Sequence, residues 1–391
     1  MPKNIVICLD GTGNQIEENI SNVLKLYRAV DKSSEQLVFY DQGVGTLGRI
    51  YTWGWLKQKL KNGLGLAFGL GLDRNVLKAY EFIVQNYEDY DNIYIFGFSR
   101  GAHTARVLAG MIYEVGILRA HQIHLSGAAL TAYKQAPRAR HDIGEAIGED
   151  VYEGEGANFR RVAQPRTAAV RFLGLWDTVS SVFVPNVKTY FPPIVREDLP
   201  HTKYNPAVRM FRQAASIDER RRMFRLDGWE EGQPFKPNIH SLGEPDAQDA
   251  RQVWFAGYHS DVGGGHKRAE SGTSQFPLIW MISEAEKAGL RVFGRMARYV
   301  SGIEPYSDTT RYLYPEPDPA GKLHPSLKGF WCLLEVIPKR NRRSEWPERR
   351  NRWGVYLPLG ERRYIAADAN IHSSVYDRIK LCPDYDPPNL P

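Results

Sequence analysis

Short apolar runs recur along the chain, and the segments between them carry apolar residues at intervals of three and four. The runs are NIVICL (4–9), QLVFYD (36–41), NIYIFGF (92–98), AAVRFLGLW (168–176) and RQVWFAG (251–257). Each is short and bounded by polar or glycine residues, so each predicts a strand. SNVLKLYRAVDK (21–32) and LDRNVLKAYEFIVQNYE (72–88) predict amphipathic helices. In the second, Val76, Tyr80, Ile83 and Val84 form the buried stripe, and Asp73 suits the first turn. Strands alternating with helices imply an α/β fold, a mostly parallel central sheet flanked by helices.

The long connections 119–167 and 185–250 are polar and partly helical in pattern, as expected of insertions around a core sheet that could form a cap or lid. From about residue 300 the chain changes character, with the proline-rich YLYPEPDPAGKLHP and the basic run 338–353, which is expected to be a solvated face. No repeat or low-complexity linker interrupts it, so 1–391 reads as one elaborated domain.

Composition adds limits rather than an identity. With 42% hydrophobic and 25% charged residues, the chain can build an ordinary globular core. A net charge of +6 is mildly basic; it hints at anionic partners, and no nucleic acid is expected. Three cysteines are few and odd in number, which argues against a disulfide framework; Cys8, inside the first strand, reads as a small core residue. No signal-peptide pattern and no apolar run of membrane-spanning length is present, so the expected location is cytoplasmic, or exported without a cleavable signal peptide.

The most informative segment is NIYIFGFSRGAHTARVLAG (92–110). An apolar strand enters Gly97-Phe98-Ser99-Arg100-Gly101, and a helical pattern follows, which is the Gly-x-Ser-x-Gly nucleophile elbow of α/β-hydrolases. Ser99 on a tight strand-to-helix turn is a candidate nucleophile, with the helix N-terminus beside the place where an oxyanion forms. Such a serine needs a base and an orienting acid, in the chain order Ser, acid, His. Asp177 and His259 each follow an apolar strand and keep that order. Asp261 is the rival acid, less favoured because it lies in the glycine turn after the base. His103, His240, His266 and His372 read as surface or core residues.

LDGTGN (9–14) lacks the Gly-Lys-Ser/Thr of a phosphate loop and the second acid of an aspartyl phosphatase. It fits the loop that supplies the second oxyanion N–H, from Gly11 or Thr12, alongside Arg100, while Asp10 accepts backbone hydrogen bonds. GVGTLG (43–48) spells a dinucleotide fingerprint but lacks the helix and the downstream acid. The chemistry therefore needs no cofactor and no metal.

Four stretches within 4–266 carry a resemblance: LDGTGN, DQGVGT with GLGLDRNVLKAYEFI, GFSRGAHTAR, and WDTV with HSDVGGG; AASIDERRRMF (214–224) adds to it. Together they resemble an α/β-hydrolase-like family first catalogued as a domain of unknown function, which includes phospholipase effectors of type VI secretion. The resemblance implies a triad mapping onto Ser99, Asp177 and His259, and esterase or phospholipase activity on an ester or lipid substrate. The segment 47–72 then reads either as a pocket wall, the preferred reading, or as a membrane-surface contact through Trp53, Trp55, Lys57, Lys59 and Lys61. Two rivals stand beside the esterase: a metal-dependent phosphoesterase using Asp10, Asp177, Asp261 and His266, and a non-catalytic binding module.

Overall fold

Every residue of the first strand, β1 (Asn4–Leu9), is buried, because helices cover both of its faces. Ile5, Ile7 and Leu9 enter one apolar cluster, while Val6 and Cys8 enter the other. The computed structural model describes residues 2–11, 20–43, 64–136, 154–179, 183–185, 194–196, 199–238, 245–307, 313–340, 345–346 and 354–391, with the backbone alone for 64–70, 183–185, 194–196 and 330.

Six further strands join β1: β2 (Gln36–Asp41), β3 (Asn92–Phe98), β4 (Val170–Trp176), β5 (Val208–Ser216), β6 (Asp249–Phe255) and β7 (Asn370–Ile371). Their spatial order is β7-β6-β5-β4-β3-β1-β2, and every pairing is parallel. The fold is α/β. Helices α1 (Asn22–Ala29), α2 (Leu64–Asn86), α3 (Arg100–Val115), α4 (Ser126–Gln135), α5 (Glu155–Ala163), α6 (His259–Gly263), α7 (Gln275–Lys287), α8 (Gly294–Val300), α9 (Phe330–Glu335) and α10 (Ser373–Leu381) accompany it. Residues of α2, α3 and α4 pack into the cluster on one face, and residues of α1, α7 and α8 into the cluster on the other. Ser21 caps α1 by accepting the Leu24 N–H at 3.1 Å.

Three expectations need correction. The connection 185–250 is not purely an insertion, since it contains β5, which lies in the sheet between β4 and β6. β5 lacks an apolar run because three of its buried residues, Arg212, Gln213 and Ser216, are polar. Arg212 is paired with Glu284 (2.6 Å) and Asp249 (2.7 Å), and Gln213 accepts from Arg106 (2.7 Å) and Thr178 (2.6 Å). Asp73 is not in a first turn, because α2 begins at Leu64; it pairs with Lys134 at 2.6 Å. The described part of the basic run is not a free solvated face. Lys339 pairs with Glu361 at 3.2 Å, and Trp346 Nε1 donates to the Arg362 carbonyl at 2.8 Å. The stripe of α2 is as expected, with Val76, Tyr80, Ile83 and Val84 all buried.

Cys8, Cys332 and Cys382 are free thiols, and Cys8 is fully buried. Among the described residues no helix is long and apolar enough to cross a membrane. Trp53, Trp55, Lys57, Lys59 and Lys61 of the segment 47–72 lie outside the described residues.

Candidate active site

The parallel register brings several strand ends to one edge. Leu9 lies opposite Gly97, Phe98 opposite Trp176, Trp176 opposite Ala214, and Phe255 opposite Ser216. Asp10, Ser99 and Asp177 are the first residues beyond β1, β3 and β4, and His259 opens α6 shortly after β6. The chain runs from β1 outward to β2, then crosses back to β3 and onward, so the sheet order reverses between β1 and β3. At such a switch point the loops part and leave a crevice at the carboxyl ends of the strands.

Ser99 sits at the start of α3 with φ 59° and ψ −120°. A side chain in the left-handed region is costly and holds where the surroundings impose it. Here two glycines make that possible. A Cβ on Gly97 would come 2.6 Å from the Ala102 Cα, and one on Gly101 would overlap the carbonyl of Leu9. Both replacements would push α3 away from β1 and β3. The turn therefore keeps the Ser99 hydroxyl at the edge, and the first backbone N–H groups of α3 follow directly after it.

His259 Nε2 lies 2.8 Å from Ser99 Oγ, and His259 Nδ1 lies 2.6 Å from Asp177 Oδ2. All three residues are buried. The imidazole rests between two rings, Phe98 at 4.8 Å and Phe224 at 5.0 Å between centroids. Those contacts fix the ring plane. Asp177 has a positive φ of 42° and accepts the Ser216 N–H at 2.9 Å. Burial alone would push its carboxyl up, but the Arg363 guanidinium and His259 hold it well below the usual carboxylate range. Arg363 is likewise fully buried; burial would lower its pKa, and Asp177 raises it.

The structure thus brings Ser99, Asp177 and His259 together and leaves Asp261 apart. Asp261 Oδ1 faces His324 Nδ1 at 2.7 Å, while its Oδ2 accepts the Tyr258 N–H at 2.9 Å. Asp10 holds its loop, accepting from Gly11 N–H (2.6 Å), Ser21 Oγ (2.5 Å) and Tyr40 Oη (2.8 Å). The Gly11 N–H donates to Asp10 Oδ1 within the loop. Thr12 lies outside the described residues, as does His240. His103 is buried in α3, 4.0 Å from Asp227, and His372 caps α10. Asp10, Asp177, Asp261 and His266 do not converge. Among the described residues, Asp261 and His266 group with His324, and neither Asp10 nor Asp177 joins them.

Two neighbours of the site were not legible in the sequence. Arg363 comes from the C-terminal part and shows no local signal. Phe224 ends the stretch AASIDERRRMF; Arg221 stacks on its ring at 3.5 Å and is itself held by the buried Glu219 at 2.8 Å. At the opposite edge of the sheet, a cavity of about 690 Å³ is lined by Tyr87, Asn92, Arg166 and Arg171 among others. It includes none of the residues above.

Residues 3–284 match the family described as "T6SS, Phospholipase effector Tle1-like, catalytic domain". This is the family that the motifs within 4–266 resemble. An uncharacterized protein of Saccharomyces cerevisiae is 32% identical over 248 residues, covering 61% of this chain and 34% of its own length. The chain thus spans about a third of that curated relative. Among solved structures, it is similar to an uncharacterized protein from Pseudomonas aeruginosa, with 18% identity, 77% of this chain, 50% of that one and a TM-score of 0.37. It is also similar to the Tle1 effector bound to the VgrG spike of the type 6 secretion system, with 19% identity, 70% and 52% coverage and a TM-score of 0.36.

Proposed function

We propose, for a chain that belongs to the Tle1-like phospholipase effector family of type VI secretion, hydrolysis of carboxylic esters of lipids through an acyl-enzyme on Ser99. Membership supports a lipid ester hydrolase at the level of the family. The finer reading rests on one pair of distances: Ser99 Oγ 2.8 Å from His259 Nε2, and His259 Nδ1 2.6 Å from Asp177.

In this reading Ser99 Oγ attacks the acyl carbonyl while His259 Nε2 takes its proton. Collapse of the tetrahedral intermediate releases the alcohol, which takes that proton from His259. Water then attacks the acyl-enzyme with His259 again as base, freeing the acid and restoring Ser99. Asp177 accepts the Nδ1–H throughout, so the nitrogen facing Ser99 carries a lone pair in the resting state. The Arg100 N–H, first in α3, is one oxyanion donor. The second donor comes from the loop after β1, from Gly11 or Thr12. No organic cofactor enters these steps.

The substrate reading is tested with aryl esters of graded chain length beside phospholipid vesicles. The chain should release fatty acid from vesicles, and Ser99→Ala should abolish it. Trp53→Ser and Trp55→Ser separate the two roles of 47–72: a loss confined to vesicles supports a lipid contact, whereas equal loss on short esters makes the segment a pocket wall and removes the lipid-surface reading.

A further inference from the structure

A second cluster of side chains lies on the same short helix that carries His259. Asp261, the third residue of α6, is 1% exposed. Its Oδ2 accepts the backbone N–H of Tyr258 (2.9 Å) and of His324 (3.0 Å), which fixes the carboxylate. Its Oδ1 faces two imidazoles, His324 Nδ1 at 2.7 Å and His266 Nε2 at 3.4 Å. The two rings are stacked, with centroids 3.7 Å apart. The far nitrogen of His324, Nε2, lies 3.0 Å from Glu270 Oε2.

Carboxylate oxygens only accept, and each ring nitrogen of His324 faces one. His266 Nε2 is screened from solvent, yet 3.4 Å is past the length of a good N–H···O bond. A divalent cation beside Asp261 Oδ1 gives His266 Nε2 a partner. His324 Nδ1 and His266 Nε2 then offer lone pairs, Asp261 Oδ1 offers the anion, and His324 Nε2–H donates to Glu270. A histidine ligand that passes its second N–H to a carboxylate is the usual outer support of a metal site. The candidate ligand atoms of the three residues all lie within 4.8 Å of one another. Ligands of tetrahedral zinc, each about 2.0–2.2 Å from the ion, stand roughly 3.3 Å apart. The two ring planes are only 21° apart, so binding turns one imidazole about χ2 until both in-plane lone pairs meet the ion.

We propose that Asp261, His266 and His324 bind a divalent transition-metal ion, zinc by the donor set. Two imidazoles with one carboxylate suit zinc, whereas magnesium and calcium take oxygen ligands. Its role is to hold the structure. His324 lies beyond the region matched by the family, and the ion ties that C-terminal segment to the helix presenting His259. The proposal does not depend on the esterase reading.

The test uses the full chain, stripped with EDTA, exchanged into metal-free buffer and titrated with Zn²⁺ against a chromophoric chelator. His266→Gln and His324→Gln are measured alongside. One zinc per chain is expected, with affinity falling roughly 10–100-fold in each variant. Zinc should raise the thermal midpoint of the wild-type chain and leave that of the variants nearly unmoved. His324→Gln also loses a partly buried hydrogen bond, so if it fails to fold, His266→Gln, whose side chain is 26% exposed, carries the comparison. No zinc uptake by the wild-type chain, or uptake unchanged in His266→Gln, overturns the proposal. Neither result touches ester hydrolysis, because no activity is read.

Discussion

Arg363 grips Asp177 with both terminal nitrogens, Nη1 on Oδ1 at 2.5 Å and Nη2 on Oδ2 at 3.0 Å. Nη1 also donates to Ser216 Oγ at 2.8 Å and Nη2 to the Phe224 carbonyl at 2.5 Å. One buried cation thus braces the carboxylate behind His259 and the backbone of the phenylalanine that packs on the same imidazole.

Arg363 is therefore a positioning residue, and its removal should lower kcat with KM little changed. Arg363→Met leaves the buried carboxylate without its cation, at a cost of about 3–5 kcal/mol in stability. In the fraction that folds, kcat should fall, because Asp177 and Phe224 no longer hold His259 in place. Arg363→Lys keeps the charge and should restore part of that loss. A kcat unchanged in the folded fraction of both variants, with only stability lowered, would reduce Arg363 to a packing residue.

Asp177 and Asp261 are both buried acids near His259, yet they have different partners. Asp177→Asn should lower kcat by about 10⁴-fold with the fold retained, since the amide favours the wrong imidazole tautomer. Asp261→Asn should cost far less in turnover and act on stability instead. The reverse order of effects would make Asp261 the acid.

A third expectation concerns stability rather than chemistry. Lys25 in α1 is fully buried, its Nζ 3.2 Å from Gln275 Oε1, and burial together with Arg268 pushes its ammonium down from 10.5 to about 7. Between these values the unfolded chain holds the proton and the folded chain does not, so folding strengthens as pH rises through this window. Below about 7 both states are protonated and the full penalty of burying the charge applies. Lys25→Met should raise the thermal midpoint most at pH 6 to 7, and its advantage should shrink toward pH 10. An advantage that stays constant with pH would contradict the neutral buried lysine.

The strands β1, β2 and β3 were legible to the residue, and β4 and β6 to within two, because each is an apolar run stopped by a polar or glycine residue. Ser99, Asp177 and His259 were legible for a related reason: a parallel sheet gathers its chemistry just past its strand ends. β5 was hidden because its interior positions hold Arg212 and Gln213, whose partners are far away in the chain. Arg363 and His324 were hidden more deeply, lying 186 residues from Asp177 and 63 from Asp261. No local pattern announces a pairing that the folded chain alone creates. The start of α2 was missed because the glycines at 65, 69 and 71 are poor helix formers, yet the helix runs through them.

The central claim is that Ser99 is an activated nucleophile, and a fluorophosphonate probe tests it most directly. The probe should label the native chain once, at Ser99, with peptide mapping placing the adduct there. Labelling should vanish in Ser99→Ala and fall steeply in His259→Ala, since the hydroxyl then lacks its base. Labelling that persists in Ser99→Ala, or a native chain that takes no probe while folded, would contradict the claim.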